Sequence, residues 1–377
     1  MKADNYKRKN STKNSLLNVN YGFFLLLTIT AVILLSLVIT LTIITVSDNK
    51  ALDQGDKGDP GIQTPGDSGA ASVGSDNTPL FPTTPSRDSY VIGQASDVKT
   101  VSDIKSENTI LVDLESFTSI AEKNADKKIY PASMTKVMTL LVACENITNL
   151  NTMLTIKQEH LDYCIQNVDA SSFFGKEPDL VGEQISVKDA LYLISYRSDT
   201  ISCLLIAEHI ATNEEAFVEL MNKKAKELDL TNTNFTNCTG LYNANHYSTC
   251  REIASIMAYA IENQMAKEIL FSTDTYTFQS YKFYTTKDPN KKVTYYPSPE
   301  WYIKDVRFNK KVQLESSVVV AGKTGYIDES GVSLVSVAKS DSGKYYINVI
   351  VGQPKGSGVT ESISTNEVKK IYNTYIK

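Results

Sequence analysis

An uncharged, apolar run near the amino terminus constrains the possible folds of this chain more than any other feature. No charged residue occurs from Leu16 to Val46, and the most apolar part begins at Phe23. A helix needs roughly 20 apolar residues to cross a bilayer, whereas the apolar region of a cleaved signal peptide has only ~7–15. The run therefore predicts an uncleaved transmembrane anchor over residues 21–46.

The charges that precede this run predict its orientation. Five basic residues lie close to the amino terminus: Lys2, Lys7, Arg8, Lys9 and Lys13. Because Lys and Arg are enriched on the cytoplasmic side of membrane proteins, residues 1–20 should be cytoplasmic and everything after Ser47 should lie outside. We expect a single-pass protein of the cell membrane with an extracytoplasmic domain.

The stretch after the anchor has the composition of a linker. Residues 47–107 are rich in Gly, Pro, Asp, Ser and Thr and contain few large apolar residues. Such a composition favours a flexible tether. Gly55, Gly58 and Gly61 are spaced like collagen triplets, but the run is too short for a triple helix. The remaining residues, 108–377, are sufficient for one globular domain.

Apolar periodicity predicts the fold class of that domain. Helices are predicted at 133–144, 187–211 (two helices with a turn at 196–200), 214–228, 248–261 and 361–375. Strands are predicted at 109–114, 117–121, 316–321, 332–338 and 345–351, whereas 144–183 should be irregular. Helices in the middle of the chain with strands from both ends predict an α+β fold, an antiparallel sheet with helices packed on it.

A serine and a lysine three residues apart occur three times, as Ser96/Lys99, Ser102/Lys105 and Ser133/Lys136. Only the last pair opens an apolar run, 137–144, that predicts a buried helix. Residues three apart share a helix face, so the Lys136 amine could take the proton of the Ser133 hydroxyl. The alternative is a serine that only caps the helix.

Two further motifs make the pattern specific. The turn between two predicted helices carries Ser198–Thr200, 65 residues after Ser133, and a predicted strand leads into Lys323–Gly325, another 125 residues on. Each motif alone is weak. In this order, on a helix start, a helix–helix turn and a strand, the three motifs are typical of penicillin-recognising acyl enzymes.

With these motifs the chain resembles the serine-type D-alanyl-D-alanine carboxypeptidases, which are low-molecular-mass penicillin-binding proteins. Further segments resemble the same family: 127–136, 204–211, 239–241, 246–252 and 322–326. The resemblance implies a β-lactamase/transpeptidase-like fold for residues 108–377. It also implies a hydrolase that removes the terminal D-Ala of peptidoglycan stem peptides through an acyl-enzyme, with β-lactam antibiotics as inhibitors.

The resemblance and the required chemistry assign three catalytic residues. Ser133 would be the nucleophile and Lys136 its base, a role that burial beside a second cation, Lys323, favours because it destabilises the charged amine. Ser198 would pass a proton to the leaving amine. The backbone N–H groups of Ser133 and Tyr326 would form the oxyanion hole.

The same resemblance assigns the substrate contacts. Lys323 and Thr324 would bind the substrate carboxylate, and Gly325 would let an extended substrate lie along the strand. Two positions depart from the family pattern. Thr200 replaces the usual asparagine of the turn, and Lys355 stands where relatives often have an arginine. Both changes predict weaker substrate contacts.

Other ligands are not expected. The formal net charge of −5 and the lack of a basic face argue against a nucleic-acid partner. The three histidines, His160, His209 and His246, are too scattered to predict a triad or a metal site, and no cofactor motif occurs. Among five cysteines, Cys144 and Cys203 should be buried thiols, whereas Cys238 and Cys250 could pair.

Two alternatives to the carboxypeptidase stay open. A β-lactamase-like hydrolase would need a residue that activates a deacylating water, and no suitable Glu-containing loop is evident. A catalytically weak cell-wall-binding surface protein on the same scaffold would explain Thr200 and the missing arginine. The rate at which a penicillin label forms and is lost discriminates the three functions.

Overall fold

The structure, a computed structural model, describes residues 79–81, 86–167, 180–272, 276–277, 294–295, 312–353 and 362–376. These residues belong to one unit, 70–377. Within the described ranges, no helix combines the length and apolar character needed to cross a bilayer. The anchor predicted at 21–46 and the linker as far as residue 78 lie outside the described residues, so both stay predictions.

A seven-stranded sheet forms the centre of the domain, in the order β1-β3-β2-β11-β10-β9-β8. Its strands are β1 (Gly93–Thr100), β2 (Asn108–Asp113), β3 (Thr118–Lys123), β8 (Val312–Gln313), β9 (Ser317–Ile327), β10 (Gly331–Ser340) and β11 (Tyr345–Gln353). Two short antiparallel pairs lie outside it: β4 (Met153–Thr155) with β5 (Gln184–Ser186), and β6 (Tyr276–Thr277) with β7 (Thr294–Tyr295).

The helices cover both faces of this sheet. They are α1 (Lys136–Asn146), α2 (Gln158–Asn167), α3 (Val187–Tyr196), α4 (Thr200–Ala211), α5 (Glu214–Glu227), α6 (Cys250–Ala260), α7 (Gln264–Phe271) and α8 (Ser362–Tyr375). The larger apolar core joins α1–α7 to one face of the sheet, and a smaller core joins α8 to the other. The predicted α+β class is therefore confirmed, and the site is built on an element at the centre of the larger core.

The sheet is mixed, which corrects the antiparallel prediction. All described neighbouring strands pair antiparallel except β1, which runs parallel to β3. β1 also lies within the range predicted as linker, so the folded unit begins before residue 108. Its sequence, GQASDVKT, is polar and its side chains are mostly exposed. An edge strand of this kind has no apolar alternation for a sequence pattern to detect.

Most other elements form where the pattern predicted them. The β2–β3 hairpin, the helix pair α3–α4 and the strands β9–β11 are confirmed. The segment 144–183, predicted to be irregular, contains β4 and α2 instead. Only His160, Leu161 and Cys164 of α2 are buried, and so narrow an apolar face does not stand out in a sequence pattern.

Candidate active site

The first candidate motif lies where a 3-10 turn, Ala132–Thr135, leads into α1. Every residue of α1 from Lys136 to Cys144 is buried, so the helix that carries the motif is fixed inside the core. Pro131 and Thr135 occupy the N-cap positions of the turn and of α1, and neither side chain caps. Ser133 is therefore not the capping residue, which was the alternative role for it.

Ser133 and Lys136 lie in direct contact. The Lys136 ammonium donates to Ser133 Oγ at 3.2 Å and to the backbone carbonyl of Thr239 at 2.5 Å. Lys136 is only 2% exposed. The Thr239 carbonyl thus fixes the amine by a second hydrogen bond, next to the hydroxyl that the amine would have to deprotonate.

The second and third motifs form a similar pair. Lys323, buried in β9, donates from Nζ to Ser198 Oγ at 3.0 Å and to its neighbour's carbonyl, Thr324 O, at 3.0 Å. Ser198 has a positive φ of 54°, an uncommon conformation for a residue with a side chain. Asp199 follows it and caps α4 by accepting from Ser202 N at 2.7 Å. Burial raises the pKa of Asp199, and the bonds from Ser202 oppose that rise.

Two glycines enclose the turn that carries Ser133. A Cβ at Gly325 would lie 3.0 Å from Pro131 O and 3.1 Å from Ser133 N, so a side chain here would press on the turn and shift it by a few tenths of an ångström. A Cβ at Gly240, whose φ is +84°, would lie 1.9 Å from Ala132 O. Gly325 therefore has a packing role besides the substrate role that the sequence predicted, and Gly240 was missed because its contact is distant in sequence.

The remaining predicted positions lie around these pairs. Thr324 is buried beside Lys323 in β9, and Thr200 is the buried first residue of α4. Tyr326 is half-buried, and its hydroxyl donates to Asp328. Lys355 lies outside the described residues.

β9 carries the third motif within the sheet. Its Lys323, Thr324 and Gly325 pair with β10 on one side. Among the described residues, β8 pairs with β9 further back along the strand, at Val318 and Val319.

Comparison with known proteins decides the family. A family model described as D-alanyl-D-alanine carboxypeptidase matches residues 94–355, well over half of the chain. The chain belongs to this family. The resemblance inferred from the three motifs is thereby confirmed, and the family is one of peptidases.

The curated relatives of this D-alanyl-D-alanine carboxypeptidase family member match the chain over only part of their own length. The D-alanyl-D-alanine carboxypeptidase DacF of Bacillus subtilis (strain 168) is 31% identical over 236 residues, which cover 62% of this chain and 54% of the relative. The D-alanyl-D-alanine carboxypeptidase DacA of Haemophilus influenzae is 28% identical over 262 residues, 68% of this chain and 59% of the relative. The chain thus spans somewhat more than half the length of these relatives.

Solved structures share the fold of the family member. A mutant of the Streptomyces K15 DD-transpeptidase matches with a TM-score of 0.60 over 72% of this chain and 98% of that chain, at 21% identity. Penicillin binding protein 5 from Haemophilus influenzae matches with a TM-score of 0.57 over 73% of this chain and 71% of that chain, at 25% identity. These matches support an α+β fold with a mixed sheet.

Among the described residues, one cluster outside the motifs has metal-ligand chemistry. Glu159, His160 and Glu208 lie together, but Lys157 Nζ donates to Glu208 at 2.8 Å and lies 3.1 Å from Glu159. His160 Nδ1 accepts from the Lys157 backbone N–H at 3.0 Å, which leaves the ring proton on Nε2 and no lone pair there for a metal. The cluster is an ion-pair network around an ammonium group.

The cysteines are all reduced and buried: Cys144, Cys164, Cys203, Cys238 and Cys250. The buried thiols predicted at Cys144 and Cys203 are confirmed. Cys238 and Cys250 do not form the disulfide that the sequence left open.

The substitution Gly240→Ala should slow acylation through a steric clash, in addition to the strain of its positive φ. Gly240→Ala places a Cβ against Ala132 O, so the turn before Ser133 must shift; a shift of about 1 Å at a reacting group can cost ~10²-fold in rate. Gly343→Ala is the matched control, because Gly343 also has a positive φ but a Cβ there would meet no atom within 4 Å. In both variants the positive φ should lower the free energy of unfolding by ~1–2 kcal/mol. Only Gly240→Ala should also be acylated more slowly by a fluorescent penicillin. Equal acylation rates would contradict this role.

Proposed function

We propose that the protein is a membrane-anchored, serine-type D,D-carboxypeptidase that removes the terminal D-Ala of peptidoglycan stem peptides through an acyl-enzyme on Ser133. The observation that carries the proposal is two pairs in which a buried lysine contacts a serine hydroxyl, Lys136 with Ser133 and Lys323 with Ser198. The strand that carries Lys323 packs against the turn that carries Ser133 through Gly325. Family membership supports the same reaction, because the curated relatives are named for it.

Acylation follows from the first pair. The Lys136 amine, in its neutral form, takes the proton of Ser133, and Ser133 Oγ attacks the carbonyl carbon of the penultimate D-Ala. The negative charge that develops on the carbonyl oxygen is stabilised by the backbone N–H groups of Ser133 and Tyr326. The closeness of Gly325 to Ser133 N supports this placement, since it brings the Gly325–Tyr326 backbone against the nucleophile.

The second pair serves the leaving group and the carboxylate. Ser198 gives its hydroxyl proton to the departing D-Ala nitrogen and receives in exchange the proton that Lys136 took from Ser133. The C–N bond breaks, the acyl group stays on Ser133 and Lys136 returns to its neutral form. Lys323 and Thr324 bind the substrate's terminal carboxylate, and a cation beside a hydroxyl suits that group. Water then hydrolyses the ester and releases the shortened stem peptide.

The membrane anchor is the second part of the proposal. It is supported by the uncharged run at 16–46 and by the basic residues before it. The catalytic domain would then act outside the cytoplasmic membrane, where the cell wall is.

Protease added to intact, wall-stripped cells should remove the domain, because an anchor oriented by its basic flank exposes residues 108–377 to the medium. The loss is followed by immunoblot, with a cytoplasmic protein as the control for cell integrity. Full protection of the domain in intact cells, with digestion after detergent lysis, would contradict the orientation.

Ser133→Ala should abolish covalent labelling by a fluorescent penicillin while the domain stays folded. Ser133 is not at an N-cap position, so no cap is lost, but the buried Lys136 ammonium loses one acceptor and keeps Thr239 O. We expect a cost of ~1–3 kcal/mol, which a domain with a typical stability of ~5–15 kcal/mol tolerates. Ser102→Ala, from another Ser-x-x-Lys pair, is the matched control and should keep the label. Mass spectrometry should place the adduct on the peptide that contains Ser133.

The labelling experiment also separates the alternatives. A label that is lost rapidly would indicate the β-lactamase-like hydrolase, and no label on a folded wild-type protein would indicate a silent scaffold. An adduct on Ser102 would refute the choice of nucleophile.

Thr200→Asn should raise the rate of acylation. Thr200 has one hydroxyl where an asparagine amide offers both a donor and an acceptor, and one neutral hydrogen bond is worth ~0.5–1.5 kcal/mol, or about threefold to tenfold in rate. Thr200→Val, which removes the hydroxyl at nearly constant shape, is the control and should be slower than the wild type. A slower Thr200→Asn variant would show that the turn is adapted to threonine.

A further inference from the structure

Thr135 has a side-chain contact that the mechanism has not used. It lies between the nucleophile Ser133 and the base Lys136, at the N-cap of α1, and it is 1% exposed. A threonine at an N-cap usually accepts a hydrogen bond from the first turn, but this one does not cap the helix. Its Oγ1 lies instead 2.8 Å from Nε2 of His246.

The surroundings of His246 define the state of its ring. His246 is 2% exposed, and burial, followed by the charge of Lys136, lowers its pKa to about 4. The ring is therefore neutral at pH 7. Its Nδ1 accepts from the backbone N–H of Thr236 at 3.1 Å, so the proton must be on Nε2. His246 thus donates from Nε2 to Thr135 Oγ1.

The ring of His246 is itself held in place. It packs edge-on against Phe235, with centroids 5.5 Å apart. Its backbone N–H donates to Asn243 O at 2.9 Å. Two residues later, Ser248 pairs with Ile129 just before the nucleophile's turn. The donor therefore has a fixed position relative to the start of α1.

The loop between α5 and α6, residues 228–249, carries His246 and contacts the start of α1 at two further points. Thr239 O accepts from Lys136 Nζ at 2.5 Å, and Cys238 O accepts from Thr139 Oγ1 at 2.7 Å. Of these three contacts, the one from His246 is the only one that a side chain of the loop makes. It is made to Thr135, two residues after Ser133 and directly before Lys136.

We propose that His246 is a positioning residue for acylation: through Thr135 Oγ1 it holds the start of α1 in the orientation that places Lys136 Nζ against Ser133 Oγ. The inference rests on the proposed function, since the geometry it protects is that of the nucleophile and its base. His246 itself does not touch the reacting atoms.

The contact can be broken from either side. Thr135→Val removes the hydroxyl at nearly constant shape, and His246→Ala removes the ring. Each variant is prepared as the full chain and is first shown to unfold cooperatively on heating, which establishes that it is folded. It should then be acylated by a fluorescent penicillin with a second-order rate constant about threefold to tenfold lower than that of the wild type. The double variant should lose no more than the worse single variant, because both changes remove one contact. His246→Gln, which keeps an N–H donor and an acceptor, should regain most of the rate.

A matched control separates positioning from general destabilisation. His160 is also buried, and its Nδ1 also accepts from a backbone N–H, that of Lys157, at 3.0 Å. His160→Ala should lower stability yet leave the acylation rate of the folded protein unchanged. A loss of rate in His160→Ala equal to that in His246→Ala would refute the specific role.

Nitrogen NMR of histidine-labelled protein gives a readout that does not depend on activity. Only three histidines occur, and His246→Gln identifies the signals of His246. They should show a neutral ring protonated on Nε2 at pH 7, with an Nε2 shift that changes in Thr135→Val and not in His160→Ala. A ring protonated on Nδ1, or signals indifferent to Thr135→Val, would overturn the contact itself.

The outcomes distinguish the two proposals. A wild-type protein that takes no penicillin label refutes the proposed function and with it any role in acylation, whatever the NMR spectrum shows. A labelled wild type with His246→Ala labelled at the same rate refutes only the role of His246. Losses that multiply in the double variant would show that Thr135 and His246 act independently, which also refutes it.

Discussion

The arrangement of the site depends on the burial of two lysine ammonium groups in one domain. Lys136 and Lys323 are each 2% exposed, and an ion removed from water costs several kcal/mol unless nearby groups compensate. Each lysine donates to a serine hydroxyl and to a backbone carbonyl. The serines that the chemistry needs are thus also the oxygens that make the buried charges tolerable. Ser133 and Ser198 are held in place by the same hydrogen bonds that would activate them.

Backbone strain accompanies both serines. Ala132, next to Ser133, has a φ of 49°, and Ser198 has a φ of 54°. Side-chain-bearing residues avoid this region, and such outliers persist only where the surrounding structure fixes them. The surroundings do so here, because Gly240 and Gly325 close on the turn before Ser133, and Asp199 caps the helix after Ser198. Local preference is overruled at the two points where chemistry is proposed, as expected of a functional site.

The sequence predicted those helices and strands in which apolar residues recur with a short period. α3, α4 and the strands β9–β11 have apolar patterns long enough to be recognised, and the three motifs identified the family. The polar edge strand β1 has no such pattern, because its side chains face solvent and its stability comes from pairing with β3. The partners of α1 were also unpredictable, since Thr135 and His246 are more than a hundred residues apart. A histidine judged by sequence spacing alone looked isolated, yet the fold places it beside the nucleophile's turn.

The heavy-atom geometry of the first pair suits both protonation states that acylation requires. While Lys136 is an ammonium, it donates to Ser133 Oγ and to Thr239 O. As a neutral amine it can accept from the Ser133 hydroxyl through its lone pair and still donate to Thr239 O, because an amine keeps two N–H groups. In the proposed mechanism the proton therefore moves along one existing contact of 3.2 Å, and neither side chain has to change rotamer. In the proposed mechanism the rate of acylation then depends on how firmly the start of α1 is held, so the loop that supplies Thr239 O and His246 contributes through the positions of Ser133 and Lys136.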